Sequence, residues 1–164
     1  LGATVCIPNG EALCGRCPIH DFCAAHAAGT VEKYPVKAPK AVRRIEKKTV
    51  FLVTDGVRIL LDKRPGTGLL AGLYEFPNRE GHLSGAEAEA AVSALGLTPL
   101  ELAALPAAKH IFTHIEWHMT GYLVRVAAPF DLPEPYRVAD LDEVRDSYAL
   151  PSAFSVYRAC LPKV

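Results

Sequence analysis

TVFLVTDGVRILLDKR, residues 49–64, runs on to GLLAGLYEFP at residues 68–77, and these two stretches decide the fold. Thr49–Thr54 is dominated by β-branched and aromatic residues and reads as a strand. Asp55-Gly56 is a hairpin signal, and Val57–Arg64 follows as the partner strand. The glycines of GLLAGLYEFP predict close backbone approach around the next strand. Ser84 is the expected N-cap of a helix in SGAEAEAAVSALG, residues 84–96, with Glu87 three residues on and Gly96 just past its end. KHIFTHIEWHMTGYLVRVAA, residues 109–128, alternates apolar and polar positions and predicts two strands. PSAFSVYRACL, residues 151–161, reads as a short helix. This mixture specifies an α/β (α+β) domain over 49–164, a mixed β-sheet flanked by helices.

Outward from that domain the composition changes. TVEKYPVKAPKAVRRIEKK, residues 30–48, holds two prolines and seven Lys/Arg with little apolar periodicity, and reads as a basic linker. Its cations Lys40, Arg43, Arg44, Lys47 and Lys48 are the candidates for phosphate contact, against the plainer reading of a solvated connector. Residues 1–29 hold four of the five cysteines. Half of the 164 residues are hydrophobic, so a packed core is feasible and wholesale disorder is excluded. Apolar runs such as Val57–Leu61 are far short of the roughly 20 residues a bilayer-crossing helix needs. The chain starts at Leu1 and its only methionine is Met119, which reads as a piece of a longer protein.

Cys6, Cys14, Cys17 and Cys23 give the spacing C-x7-C-x2-C-x5-C, while Cys160 stands alone among apolar residues as a small core side chain. Disulfides lack a secretory context, and a C-x2-C pair is a metal or redox spacing. Structural zinc usually takes two such knuckles, and only one is present. A compact loop with three unequal gaps suits an iron–sulfur cubane, whose corners take thiolates from different directions. Spacing alone leaves iron–sulfur, zinc and neither open.

LGATVCIPNGEALCGRCPIHDFC, residues 1–23, resembles the end of the catalytic region of the helix-hairpin-helix DNA glycosylases, in particular the A/G-specific adenine glycosylases of the MutY type. The resemblance implies a 4Fe–4S cluster on Cys6, Cys14, Cys17 and Cys23. The first gap is seven residues where the commonest family form has six. IPNGEAL also lacks the family's basic residues there, leaving Arg16 and His20 as weak substitutes for phosphate contact.

GLLAGLYEFP resembles the Gly-Leu-Trp-x-Phe-Pro strand that opens a Nudix box, after which a working hydrolase carries a helix of metal-binding glutamates. If Gly96 matches the glycine that ends the box, those glutamates fall at Ala90, Ser93 and Ala94. Glu87 and Glu89 are two residues apart, about 200° around a helix, and cannot share one ion. A Nudix-like domain without its metal site suggests a binding module. In the MutY-type enzymes that domain recognises 8-oxoguanine, and Phe112-Thr113-His114 resembles the family's Phe-Ser-His loop. The Thr113 hydroxyl can accept from N7–H and donate to O8 of the oxidised base.

The resemblance implies three parts: a cluster loop over 1–29, a basic interdomain linker over 30–48 and an 8-oxoguanine-recognition domain over 49–164. The implied parent removes adenine opposite 8-oxoguanine from double-stranded DNA after flipping it out. Its catalytic residues lie upstream of Leu1, so no residue of this chain is assigned a catalytic role. A monomer in the cytoplasm, associated with the nucleoid and not with membrane, is expected. The competing expectations are a small Nudix-type nucleotide phosphohydrolase and a non-enzymatic zinc-binding interaction module.

Overall fold

A computed structural model describes residues 1–7, 10–36 and 42–162. The chain divides into two units, Leu1–Ala41 and Val42–Val164. Lys40 lies outside the described residues. In the smaller unit the 3-10 turns Cys14–Arg16 and His20–Phe22 precede α1 (Ala24–Ala27), and a third turn spans Val31–Lys33. None of its described residues is buried. A unit this short without an apolar core usually needs a crosslink or a metal to hold its shape.

The larger unit contains β1 (Arg44–Thr54), β2 (Arg58–Lys63), β3 (Tyr74–Glu75), β4 (Asn78–Glu80), α2 (Gly85–Ser93), β5 (Pro99–Ile111), β6 (Ile115–Val126), β7 (Tyr136–Asp140), α3 (Leu141–Asp146) and α4 (Ser155–Ala159). The strands form one sheet along the path β3-β2-β1-β6-β5, with β4 pairing β1 and β7 pairing β2. β1 and β6 run parallel, and the other pairs are antiparallel. This is the mixed sheet with flanking helices that the sequence specifies.

β1 is buried from Thr49 to Thr54. Successive side chains of a strand point to opposite faces. Val50 and Leu52 therefore enter one cluster with Trp117, Phe154 and Tyr157, while Phe51 and Val53 enter a second with Ala88 and Val92 of α2. A continuous apolar run is what a strand covered on both faces requires. Asp55 closes the β1–β2 hairpin. Its carboxylate accepts from the N–H groups of Val57 at 3.0 Å and Arg58 at 2.7 Å, and pairs with the Arg58 guanidinium at 2.9 Å. Partial burial pushes Asp55 up, but these donors outweigh it and hold the carboxyl below its usual value. α2 starts on the expected capping box, with Ser84 and Glu87 each bonded to the other's backbone N–H. Cys160 is half-buried against the first cluster.

Three expectations are corrected, and β7 and α3 are added to them. The basic linker does not reach Lys48, because β1 begins at Arg44 and pairs with β6 from that residue on. β5 extends back to Pro99, with a register shift between Leu105 and Ala108 that accommodates Pro106. Proline is tolerated there because β5 ends the strand path and a bulge frees the missing donor. β7 and α3 fall in a segment without a clear period. The glycines of GLLAGLYEFP also serve another purpose: a Cβ on Gly68 or Gly72 would meet nothing within 4 Å, and both need positive φ, 89° and 71°. The close approach is at Gly121, where a Cβ would lie 2.5 Å from the Tyr157 ring. Among the described residues no helix is long and apolar enough to cross a membrane.

Candidate functional site

The hairpin joining β5 to β6 turns through Phe112, Thr113 and His114. The Phe112 N–H donates to the Ile115 carbonyl at 2.8 Å and closes the turn. Two consecutive basic residues hold its outer carbonyls. Arg43 Nε donates to the Phe112 carbonyl at 3.2 Å, and the Arg44 N–H donates to that of His114 at 3.1 Å. Parallel pairing makes this possible, because Arg44 stands opposite Ile115 at the start of both strands. Thr113 and His114 are exposed. Phe112 is half-buried, its ring edge-on to His110 at 4.6 Å and to Trp117 at 4.9 Å. Phe112 thus anchors the turn, which displays the Thr113 hydroxyl and the His114 imidazole.

Two residues that the sequence reading did not single out support this turn. Trp117 is buried, and its indole N–H donates to Glu46 Oε2 at 2.9 Å. Glu46 Oε1 accepts from the Arg44 guanidinium at 2.5 Å. Lys48 Nζ lies 4.8 Å from the Trp117 ring centroid and 3.5 Å from Asn78 Oδ1. Arg43, Arg44 and Lys48 are therefore brought to the turn, whereas Lys47 alternates to the opposite face of β1. Arg44 is the most compensated of the three: among the described residues only it forms an ion pair, while Lys48 stands opposite Glu80 on β4 without pairing to it. The signal for Glu46 is its place as the lone acid in a basic run, and for Trp117 its position three residues past the turn. On the hairpin's flank Glu116 accepts from His118 Nε2 at 2.6 Å and pairs with Lys109 at 2.5 Å, which holds its carboxyl below the usual range.

Ala90, Ser93 and Ala94 lie exposed along α2. None supplies a carboxylate. Glu87 is committed to the cap: its Oε2 accepts from the Ser84 N–H at 2.8 Å and from the Ser84 hydroxyl at 2.7 Å, bonds that hold the carboxyl below its usual value. Glu89 is the other carboxylate of α2, and among the described residues no three Cys, His, Asp or Glu side chains gather here to hold a divalent ion.

In the smaller unit Cys6, Cys14, Cys17 and Cys23 all line one pocket of about 300 Å³, together with His20 and His26. All four thiols are free. Tight turns place them, with the Cys17 N–H bonded to the Cys14 carbonyl at 3.0 Å and the Cys23 N–H to the His20 carbonyl at 3.1 Å. His20 Nδ1 faces the Cys17 carbonyl at 3.2 Å, and Nε2 faces Asp21 at 2.9 Å. Among the described residues no three Cys, His, Asp or Glu side chains converge on one ion. The donor set is thus four thiols spread around a void walled by Val5, Ala12 and Val31. Four thiols are the donor set that a 4Fe–4S cluster takes, and a four-cysteine zinc site takes the same number.

Adenine DNA glycosylase of Rattus norvegicus is 30% identical over 167 residues, covering 71% of this chain and 32% of that protein. Adenine DNA glycosylase of Arabidopsis thaliana is 36% identical over 92 residues, covering 48% of this chain and 14% of that protein. The chain therefore spans a third or less of the curated relatives' length. Among solved structures, a MutT NUDIX hydrolase from Burkholderia pseudomallei superposes with a TM-score of 0.56 at 20% identity, over 73% of this chain and 100% of that one, which is likeness of fold. The NUDIX domain model matches residues 49–158. With its mixed sheet and its Nudix-type strand and helix, the chain belongs to the NUDIX domain family.

Proposed function

We propose that this chain is the C-terminal, lesion-recognition portion of an adenine DNA glycosylase, an enzyme that removes adenine mispaired with 8-oxoguanine in base excision repair. The observation that carries the reading is the exposed Thr113 on a turn fastened at both carbonyls by Arg43 and Arg44. Oxidation at C8 turns guanine N7 from acceptor to donor and adds a carbonyl, and one hydroxyl can answer both edges. The likeness to two adenine DNA glycosylases supports the same reading. So does the helix face of Ala90, Ser93 and Ala94, which leaves a NUDIX fold suited to binding and not to hydrolysis.

Cys6, Cys14, Cys17 and Cys23 hold a 4Fe–4S cluster in this proposal, and the cluster's contribution is structural, tying four points of a core-less segment together. Arg43 and Lys48 contact DNA phosphate beside the turn, with Lys40 of the connector and Arg44 and Lys47 of β1 adding charge. The partner is double-stranded DNA carrying the 8-oxoguanine:adenine mispair. Base excision is assigned to a part of the enzyme outside these residues.

The test is the ratio of affinities for duplexes with adenine opposite 8-oxoguanine and opposite guanine. Thr113→Ala should lower that ratio by roughly 5- to 150-fold, the equivalent of a lost base-edge contact of about 1–3 kcal/mol. Circular dichroism should show the fold intact. An unchanged ratio would mean that the turn does not read the lesion.

A further inference from the structure

One face of the sheet carries two cations, Lys63 and Arg137, that form no ion pair among the described residues, although the Glu143 carboxylate adds to the field at Arg137. β1 and β6 both begin beside the Thr113 turn, whereas β2, in register with β1 at Thr54 and Ile59, ends at Lys63 about level with Val50, where β3 and β7 start. Residues directly opposite each other across a strand pair share a face. Lys63, opposite Tyr74, and Arg137, opposite Leu61, thus share the face that carries Leu61, Trp117 and Phe112. Both line one open groove of about 1050 Å³ with Tyr74, Tyr136 and Glu134.

What holds these cations distinguishes them. Lys63 Nζ stands 5.9 Å from the centre of the Tyr74 ring. Arg137 Nε donates to the Tyr148 hydroxyl at 2.8 Å, and Tyr148 meets Tyr74 edge-on at 5.6 Å. Both cations are exposed and both are positioned by neutral phenols. Arg58, Arg64, Lys109 and Arg145 each pair with a carboxylate instead. Arg64, also in the groove, is neutralised by Glu75 through two bonds of 2.8 Å. Glu134 is the groove's own unpaired acid, and it forms no ion pair with Lys63 or Arg137 among the described residues. With Nε committed to Tyr148, the two terminal nitrogens of Arg137 remain as a fork that matches a phosphate. Nearer the turn, Arg43 is held by a carbonyl, and Lys48 lies over an indole with Glu80 opposite it across the strand pair.

We propose that Lys63 and Arg137 form a second phosphodiester contact, taking the backbone of the duplex whose oxidised base the Thr113 turn reads. The proposal rests on the lesion-recognition reading for its partner. Phosphate contacts of this kind set affinity and salt dependence and leave sequence discrimination to the base edge.

The experiment is fluorescence anisotropy of the whole chain with duplexes carrying adenine opposite 8-oxoguanine or guanine, across a series of salt concentrations. Lys63→Ala with Arg137→Ala should weaken both complexes alike and flatten the plot of log affinity against log salt by about 1 per residue. Arg137→Lys should keep most of the slope. Arg125→Ala, an exposed cation opposite Thr54 at the far end of β1, should leave it unchanged. A double variant with the wild-type slope, in a chain that still prefers the lesion, overturns the groove assignment and leaves the lesion reading standing. A wild-type chain without lesion preference whose slope still drops in the double variant refutes the lesion reading and keeps the groove. If dGTP alone binds saturably and the double variant abolishes this, the groove belongs to a free nucleotide and the strand assignment fails. Absence of DNA binding at low salt would overturn both.

Discussion

Glu46 is the sole carboxylate between Glu32 and Asp55, and it is spent on joining Arg44, at the start of β1, to the indole of Trp117. A buried indole N–H that loses its acceptor costs about 1–3 kcal/mol. Glu46→Ala should therefore lower unfolding free energy by about that amount in a urea titration, while Glu46→Gln, which keeps a carbonyl for the indole, should lose much less. Equal losses in the two variants would show that the Arg44 pair, and not the indole, is what Glu46 supports. Thr113 was legible as a candidate because a turn residue and its neighbours form a local pattern. Glu46 and Trp117 were not, since they lie 71 positions apart and meet only through parallel pairing of β1 with β6.

α4 shows how an element is fixed by one close fit. Tyr157 is buried against Gly121 of β6, and its hydroxyl has no hydrogen-bond partner among the described residues. Burial, reinforced by Cys160, pushes its pKa up from 10.0 to about 12. Between those values the unfolded chain gives up the phenol proton while the folded chain keeps it, so stability should fall as pH rises through that window. Tyr157→Phe should remove this alkaline loss in melts taken from pH 8 to 12. At neutral pH it should match or exceed the wild type by up to about 1–3 kcal/mol, because no bond is broken and an unpartnered hydroxyl is gone. Persistence of the alkaline loss in the variant would place the titrating group elsewhere. The sequence marks α4, α2 with its Ser84 cap and the Asp55-Gly56 hairpin because each is written in neighbouring residues. It does not mark the long β5 or β7, whose extent is set by partners distant in sequence and, in β5, runs across Pro106.

At the scale of the whole molecule the two units differ in what holds them. The larger one has two apolar clusters on either side of its sheet. The smaller one has four thiols around a pocket and no buried residue among those described. Anaerobically prepared parent protein should therefore carry iron and sulfide in near-equal amounts, and Cys17→Ser should lower both while the NUDIX unit still melts cooperatively. Stoichiometric zinc without iron in that preparation would refute the cluster. Within the larger unit, Arg43 Nε and the Arg44 N–H hold the two outer carbonyls of the Phe112–His114 turn. The first residues of β1 and the turn therefore work as a single latch, and the Arg44 and Phe112 amides should exchange with solvent at one common rate.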